Sequence, residues 1–154
     1  MNDVNSLADK AQVIDTINDL FIATDNRDWS KVLDCFSSEV LFDMSSLTGQ
    51  EAVSLSPQEI VNSWEEGLRP LRAVHHQAGN YRVRIDGDEA QAFCYGIAFH
   101  YLPNPSGKNM RVFVGSYDFH LRREGDRWRI DQFRFNLKFI DGNLDLEKSV
   151  LQIE

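Results

Sequence analysis

Two adjacent histidines, His75 and His76, stand in the stretch LRAVHHQAGNYRVRIDGDEAQAF, and they are half of the chain's four histidines. Neighbouring residues of an extended segment point to opposite faces, so at most one imidazole can serve a given pocket. Histidine needs the least tuning of any side chain to act as a general base towards a proton beside a carbonyl or a leaving group. The same ring at a strand start is ordinarily satisfied by backbone alone. Asp25 ends a helical stretch, where the macrodipole disfavours a carboxylate by about 0.3–1 kcal/mol. A carboxylate there gains from a cationic partner, or it simply caps the turn into NRDW. Tyr95 and Tyr117 lie in alternating aromatic runs. Each phenol either donates to a substrate oxygen or sits in the core with its hydroxyl at the edge.

The elements that position these residues follow from periodicity. From Ser6 to Thr24 the residues Leu7, Ala11, Val13, Ile14, Ile17, Leu20 and Phe21 form one helical stripe. DNRDWSKVLDCFS begins a second short helix, capped by Asp28, and EVLFDM reads as a brief strand ending near Thr48 and Gly49. Ser56, Pro57 and Glu59 make a capping box, so a third helix runs from Pro57 to about Leu68, stopped by Gly67 and Pro70. After His76 the period becomes 2. Segments near 80–86, 89–102, 108–123 and 127–139 read as strands joined by DGDE, PNPSG and EGDR. The layout is α+β, with helices covering one face of a curved antiparallel sheet.

Parity sorts the sheet faces. Odd positions hold Phe93, Tyr95, Ile97, Phe99, Tyr101, Phe113, Tyr117, Phe119, Leu121, Phe133, Phe135, Leu137 and Phe139. This aromatic set is assigned to the helix-covered core, with Trp64 and Phe133 as candidate pocket walls for a flat apolar molecule. Even positions, among them Ala90, Ala92, Cys94, Ala98 and His100, are assigned to the outer face. That face is too apolar for open water, so a second copy of the chain is the expected cover.

Composition narrows the function. A chain of 154 residues with 42% hydrophobic content corresponds to one domain, 1–154, with a core over about 6–140 and a tail from 141 to 154. Residues 1–70 carry 13 Asp and Glu against 4 Lys and Arg, and residues 71–154 carry 11 against 12. With no basic stripe, nucleic acid is not an expected partner. Cys35 and Cys94 have no CxxC spacing, and His76, His100 and His120 lack ligand spacing, so no metal or other cofactor is implied. No apolar segment reaches the ~20 residues of a membrane span and no leader pattern opens the chain, which reads as soluble and cytoplasmic.

Three stretches carry a family resemblance: LFIATDNRDWSKVL, HHQAGNYRV and GSYDFHLRREGDRWRI. Over roughly residues 6–140 the chain resembles the SnoaL-like group of the nuclear transport factor 2 superfamily, which includes scytalone dehydratase and the hexachlorocyclohexane dehydrochlorinases. The resemblance implies a cone, a curved sheet whose concave face is covered by three N-terminal helices. It also implies a catalytic pair at Asp25 and His76, the imidazole taking a proton while the carboxylate orients it. His76 would then point into the cone and His75 outward or to the rim. Tyr117 falls near a substrate-contacting Asn of scytalone dehydratase, and His100 resembles its second pocket histidine if a gap is allowed. Other positions depart from the family. Thr24 and Met44 replace two tyrosines of scytalone dehydratase, while Leu20 and Phe133 stand at or near a Lys and an Arg of the dehydrochlorinases. The resemblance therefore implies a lyase or isomerase acting on a small apolar cyclic molecule, with no substrate carried over. The alternative it allows is a binding or assembly module, as in the small β subunits of ring-hydroxylating dioxygenases.

Overall fold

The computed structural model describes residues 3–150. Helix α1, Asp3–Asp25, is followed by α2, Trp29–Asp34, strand β1, Phe36–Asp43, and a single helical turn α3, Ser45–Thr48. Then come β2, Val53–Leu55, α4, Pro57–Leu68, and four long strands: β3, Ala73–Asp86, β4, Glu89–Tyr101, β5, Met110–Glu124, and β6, Arg127–Gly142. A 3₁₀ turn, Leu146–Val150, ends the described chain. The six strands form one sheet in the order β2-β1-β6-β5-β4-β3, antiparallel except for the β1–β6 pair. Among the described residues no helix is long and apolar enough to cross a membrane.

The local signals for α4 act as expected. Ser56 Oγ accepts the Glu59 N–H at 3.2 Å while the Glu59 carboxylate accepts the Ser56 N–H at 2.8 Å. Helix α1 ends in a Schellman motif: the Asp28 N–H donates to the Ala23 carbonyl, the Arg27 N–H donates to that of Thr24, and Arg27 takes a left-handed φ of 55°. Asp28 then caps α2 by accepting the Lys31 N–H. The α1 stripe buries Val13, Ile17, Leu20 and Phe21, whereas Leu7 lies in the exposed first turns. Strand β3 begins at Ala73, earlier than the change of period after His76 suggests, so both histidines lie within it.

The single-parity assignment of faces fails on β4. Pairing sets Ala98 opposite Phe113, Gly96 opposite Gly115, Cys94 opposite Tyr117 and Ala92 opposite Phe119, so even residues of β4 share the inner face with odd residues of β5. The inner surface of β4 is thus lined by small side chains beneath the large rings of β5 and β6. Without a Cβ, Gly96 lets the Tyr117 ring lie on the strand, since an added methyl would come within 2.2 Å of it. The aromatics Phe93, Tyr95, Phe99 and Tyr101, with Ile97 among them, face outward.

Four irregularities interrupt the ladders and curl the sheet, one in the β1–β6 pairing between Phe36 and Leu41, one in β3 between Gly79 and Arg82, and two in the β5–β6 pairing, after Val114 and after His120. Asn80, with φ 56°, makes the bend in β3, and the Tyr81 hydroxyl just beyond it donates to Asn18 of α1 at 2.5 Å. The last irregularity changes the inner set of β6 from Trp128 and Ile130 to Phe133 and Phe135.

Candidate active site

The curl leaves a cavity of about 230 Å³ between the sheet and the helices, lined largely by apolar groups. The end of α1 supplies Phe21 and Thr24, α4 supplies Trp64, and β6 supplies Phe133 and Phe135. The polar side chains of the strands that reach it are His76, His100 and Tyr117.

Asp25 meets the cavity-lining His76 although 51 positions separate them. The Asp25 carboxylate accepts two hydrogen bonds from one residue, from the His76 backbone N–H at 2.8 Å and from ring Nδ1 at 2.6 Å. Both side chains are largely buried, at 16% and 15% exposure. A carboxylate can only accept, so a proton sits on Nδ1, and in the neutral ring the Nε2 lone pair is left bare. The Phe21 ring stacks on the imidazole at 5.4 Å between centroids and fixes its plane. Asp25 reaches this place because the Schellman turn ends α1 there, and His76 because it shares the inner face with Ala98. His75 is exposed and tilted against Phe99 on the outer face.

The other candidate residues divide. Tyr117 lines the cavity, packed edge-on to Phe21 and Phe133, and burial pushes its phenol pKa up, so the hydroxyl is a neutral donor. Trp64 and Phe133 form a wall, their rings 5.6 Å apart. His100, assigned to the outer face by parity, instead lines the cavity, because β4 pairs with β5 in the opposite parity. Tyr95 is corrected in the other direction. It is 48% exposed on the outer face, beside Phe93 and under the Lys138 ammonium at 5.3 Å, away from the cavity.

Two functional candidates escaped the sequence reading. Arg111 donates to His100 Nδ1 at 3.0 Å, and Glu147 from the 3₁₀ turn holds the same guanidinium with both carboxylate oxygens, at 2.9 and 2.5 Å. The available signal was Arg111 itself, which shares parity with Phe113 and Tyr117. A cation on an inner face requires a partner. Burial, with the Arg111 charge adding to it, pushes the His100 pKa down to about 4.

A larger groove of about 740 Å³ lies on the outer face beside Arg84, Asp118, His120 and Arg134. Several of its polar groups already have partners: His120 bonds Asp131 at 2.5 Å, Arg134 bonds Asp43 at 3.1 Å, and Arg84 bonds Gln91 at 3.0 Å. Its lining is more polar than that of the inner cavity, which is the better place for proton abstraction.

Comparison with known proteins agrees with this architecture. The SnoaL-like domain family matches residues 5–134. The chain belongs to the SnoaL-like domain family. Solved structures of the same fold include the Kfla4162 protein from Kribbella flavida, 21% identical, with a TM-score of 0.86 over 92% of this chain and 97% of that one. A type 2 hexachlorocyclohexane dehydrochlorinase is 15% identical, with a TM-score of 0.77 over 92% and 93%. A candidate scytalone dehydratase of Novosphingobium aromaticivorans is 12% identical, with a TM-score of 0.79 over 93% and 92%. No protein of curated function matches the chain. This SnoaL-like chain places the Asp25–His76 pair within the matched segment, and Glu147 beyond it.

Proposed function

We propose that this SnoaL-like protein is a lyase or isomerase that removes a proton from a small, largely apolar cyclic molecule held in the inner cavity. The observation that carries the reading is the Asp25–His76 pair at the wall of an apolar cavity, with Nδ1 committed to the carboxylate and Nε2 left as the acceptor. His76 Nε2 takes the proton from a carbon next to a carbonyl, and the C–H electron pair forms the new double bond. In an elimination the leaving hydroxide departs from the neighbouring carbon, and in an isomerisation the proton returns to another carbon. Tyr117 is the donor to the oxygen on which charge develops, and Trp64 with Phe133 exclude water around a flat ring. The base and the donor are side chains of this chain, so the step asks for no added cofactor. A volume of about 230 Å³ lies below the roughly 300–1,000 Å³ of sites for drug-sized ligands, which favours a molecule of one or two rings.

An assembly role fits a different surface of the same molecule. Tyr95, Ile97, Tyr101, Met110 and Phe139 leave the outer sheet face apolar and exposed, so a second copy of this chain is our proposed cover there, alongside catalysis rather than instead of it.

The test is a screen of cyclic hydroxy- and halo-ketones for elimination, and for exchange of the acidic C–H in deuterated water. His76→Ala should abolish both while circular dichroism stays that of the wild type. Retained turnover in a folded His76→Ala protein would remove the residue from the mechanism.

A further inference from the structure

His100 and His76 line the same cavity, yet their second nitrogens are tied to opposite kinds of partner. His76 Nδ1 faces a carboxylate, which only accepts, whereas His100 Nδ1 lies 3.0 Å from the Arg111 guanidinium, which only donates. His100 Nδ1 must therefore be bare and its ring proton must sit on Nε2. The guanidinium cannot swing away, because Glu147 grips it with both oxygens and the side chain is only 13% exposed. The 3₁₀ turn that carries Glu147 is itself anchored by Leu146, which is fully buried against Leu71 and Val74.

We propose that Arg111 and Glu147 are positioning residues that hold His100 as its neutral Nε2–H tautomer, a fixed hydrogen-bond donor to an oxygen of the bound molecule, complementary to the acceptor Nε2 of His76. The last segment of the described chain, outside the family-matched residues, thus completes the site. The inference also narrows the substrate: a molecule that satisfies both rings has an acidic C–H for His76 and a carbonyl or hydroxyl oxygen for His100. That clause rests on the catalytic reading of the cavity, whereas the tautomer of His100 does not.

The charged and titratable groups around His100 come from four elements. Burial opposes its protonation most, Arg111 of β5 and His76 of β3 oppose it further, and Glu147 and Asp25 of α1 favour it. A neutral imidazole is a poor acid but a good hydrogen-bond donor, so its part is to stabilise charge on oxygen rather than to surrender its proton.

The experiment is long-range ¹H–¹⁵N correlation on the full chain labelled at histidine, from pH 4 to 8. Wild-type His100 should show a pyrrole-type Nε2 and a pyridine-type Nδ1, with protonation only near pH 4. Arg111→Met should erase a tautomer bias of roughly ten-fold or more and raise the midpoint towards 6.5. Arg111→Lys, which keeps a donor, should restore the wild-type pattern. Should Arg111→Met not fold, Glu147→Ala, at a side chain 32% exposed, carries the test through a weakened bias. A proton on Nδ1 in the wild type overturns the proposal, and so does an unchanged tautomer in the folded variants. On a substrate that turns over, Glu147→Ala should lower kcat by roughly ten-fold with KM nearly constant. Stable tautomers with no turnover of any candidate would overturn the catalytic reading and leave the clamp standing.

Discussion

Replacing Asp25 by Asn keeps the shape of the side chain and changes what it can offer. The carboxylate accepts from the His76 backbone N–H and from ring Nδ1, while an amide has one accepting arm and one donating arm. The backbone N–H cannot cease to donate, so the amide oxygen must face it and the NH₂ must face the ring. Nδ1 then becomes the acceptor, the ring proton moves to Nε2, and the nitrogen that served as base is blocked. Activity should fall by roughly 10⁴-fold, the scale seen when a triad carboxylate becomes an amide and imposes the wrong tautomer. Stability should change far less. Two hydrogen bonds to a charged group become neutral ones, a loss of about 1–3 kcal/mol together, and an anion is removed from a helix C-terminus, which returns about 0.3–1 kcal/mol. The net loss of about 1–2 kcal/mol corresponds to roughly 2–8 °C in Tm for a domain of this size. Turnover on a substrate found in the screen, thermal unfolding, and the ¹⁵N shifts of His76 measure the three quantities. A His76 that keeps its proton on Nδ1 in Asp25→Asn, with turnover within ten-fold of the wild type, would refute the reasoning.

Three other outcomes are expected. Tyr117→Phe should lower kcat by about 10²-fold, the loss of one donor to a developing oxyanion, whereas Tyr95→Phe on the outer face should leave turnover unchanged; the reverse ranking in steady-state kinetics would return Tyr95 to the site. Gly96→Ala drives a methyl to within 2.2 Å of the Tyr117 ring and should cost about 1–3 kcal/mol by overpacking, read from urea unfolding with unchanged m. The third outcome concerns His100, whose pKa is about 4 in the folded chain against an ordinary 6.5. The unfolded chain binds the extra proton between those values, so this contribution is complete above pH 6.5 and is lost as pH falls towards 4. It amounts to about 3 kcal/mol, and His100→Gln should flatten that part of the stability profile in urea titrations at pH 7 and 4.5. Glu147 acts at lower pH. Against burial, which works the other way, its bonds to Arg111 hold its pKa below the ordinary 4.5, so its support fades only in more acid solution.

The elements were legible where their signals are local. Ser56, Pro57 and Glu59 announce α4, and Asp28 announces α2, because a cap is a contact between residues a few positions apart. The short turn α3 and strand β2 carried no comparable pattern. The faces of the sheet were half legible. Alternation within β4 is plain, but which half of it faces the helices depends on the pairing with β5, set by the loop between them, and on irregularities that each shift the alternation by one residue. Aromatic content pointed the wrong way, since the inner surface of β4 must be thin to receive the Tyr117 ring. The same step misplaced Tyr95 and His100 together.

Residue types and their local spacing determined the α+β layout, the helix limits, the candidate acid and base, and the absence of a basic stripe for nucleic acid. The family resemblance added the pairing of Asp25 with His76. Only the tertiary structure decided that the His76 backbone N–H and ring Nδ1 share the Asp25 carboxylate, that His100 turns inward, and that Arg111 and Glu147 stand behind it. Periodicity describes one segment at a time, whereas a ring's proton is assigned by partners brought from 11 and 51 positions away.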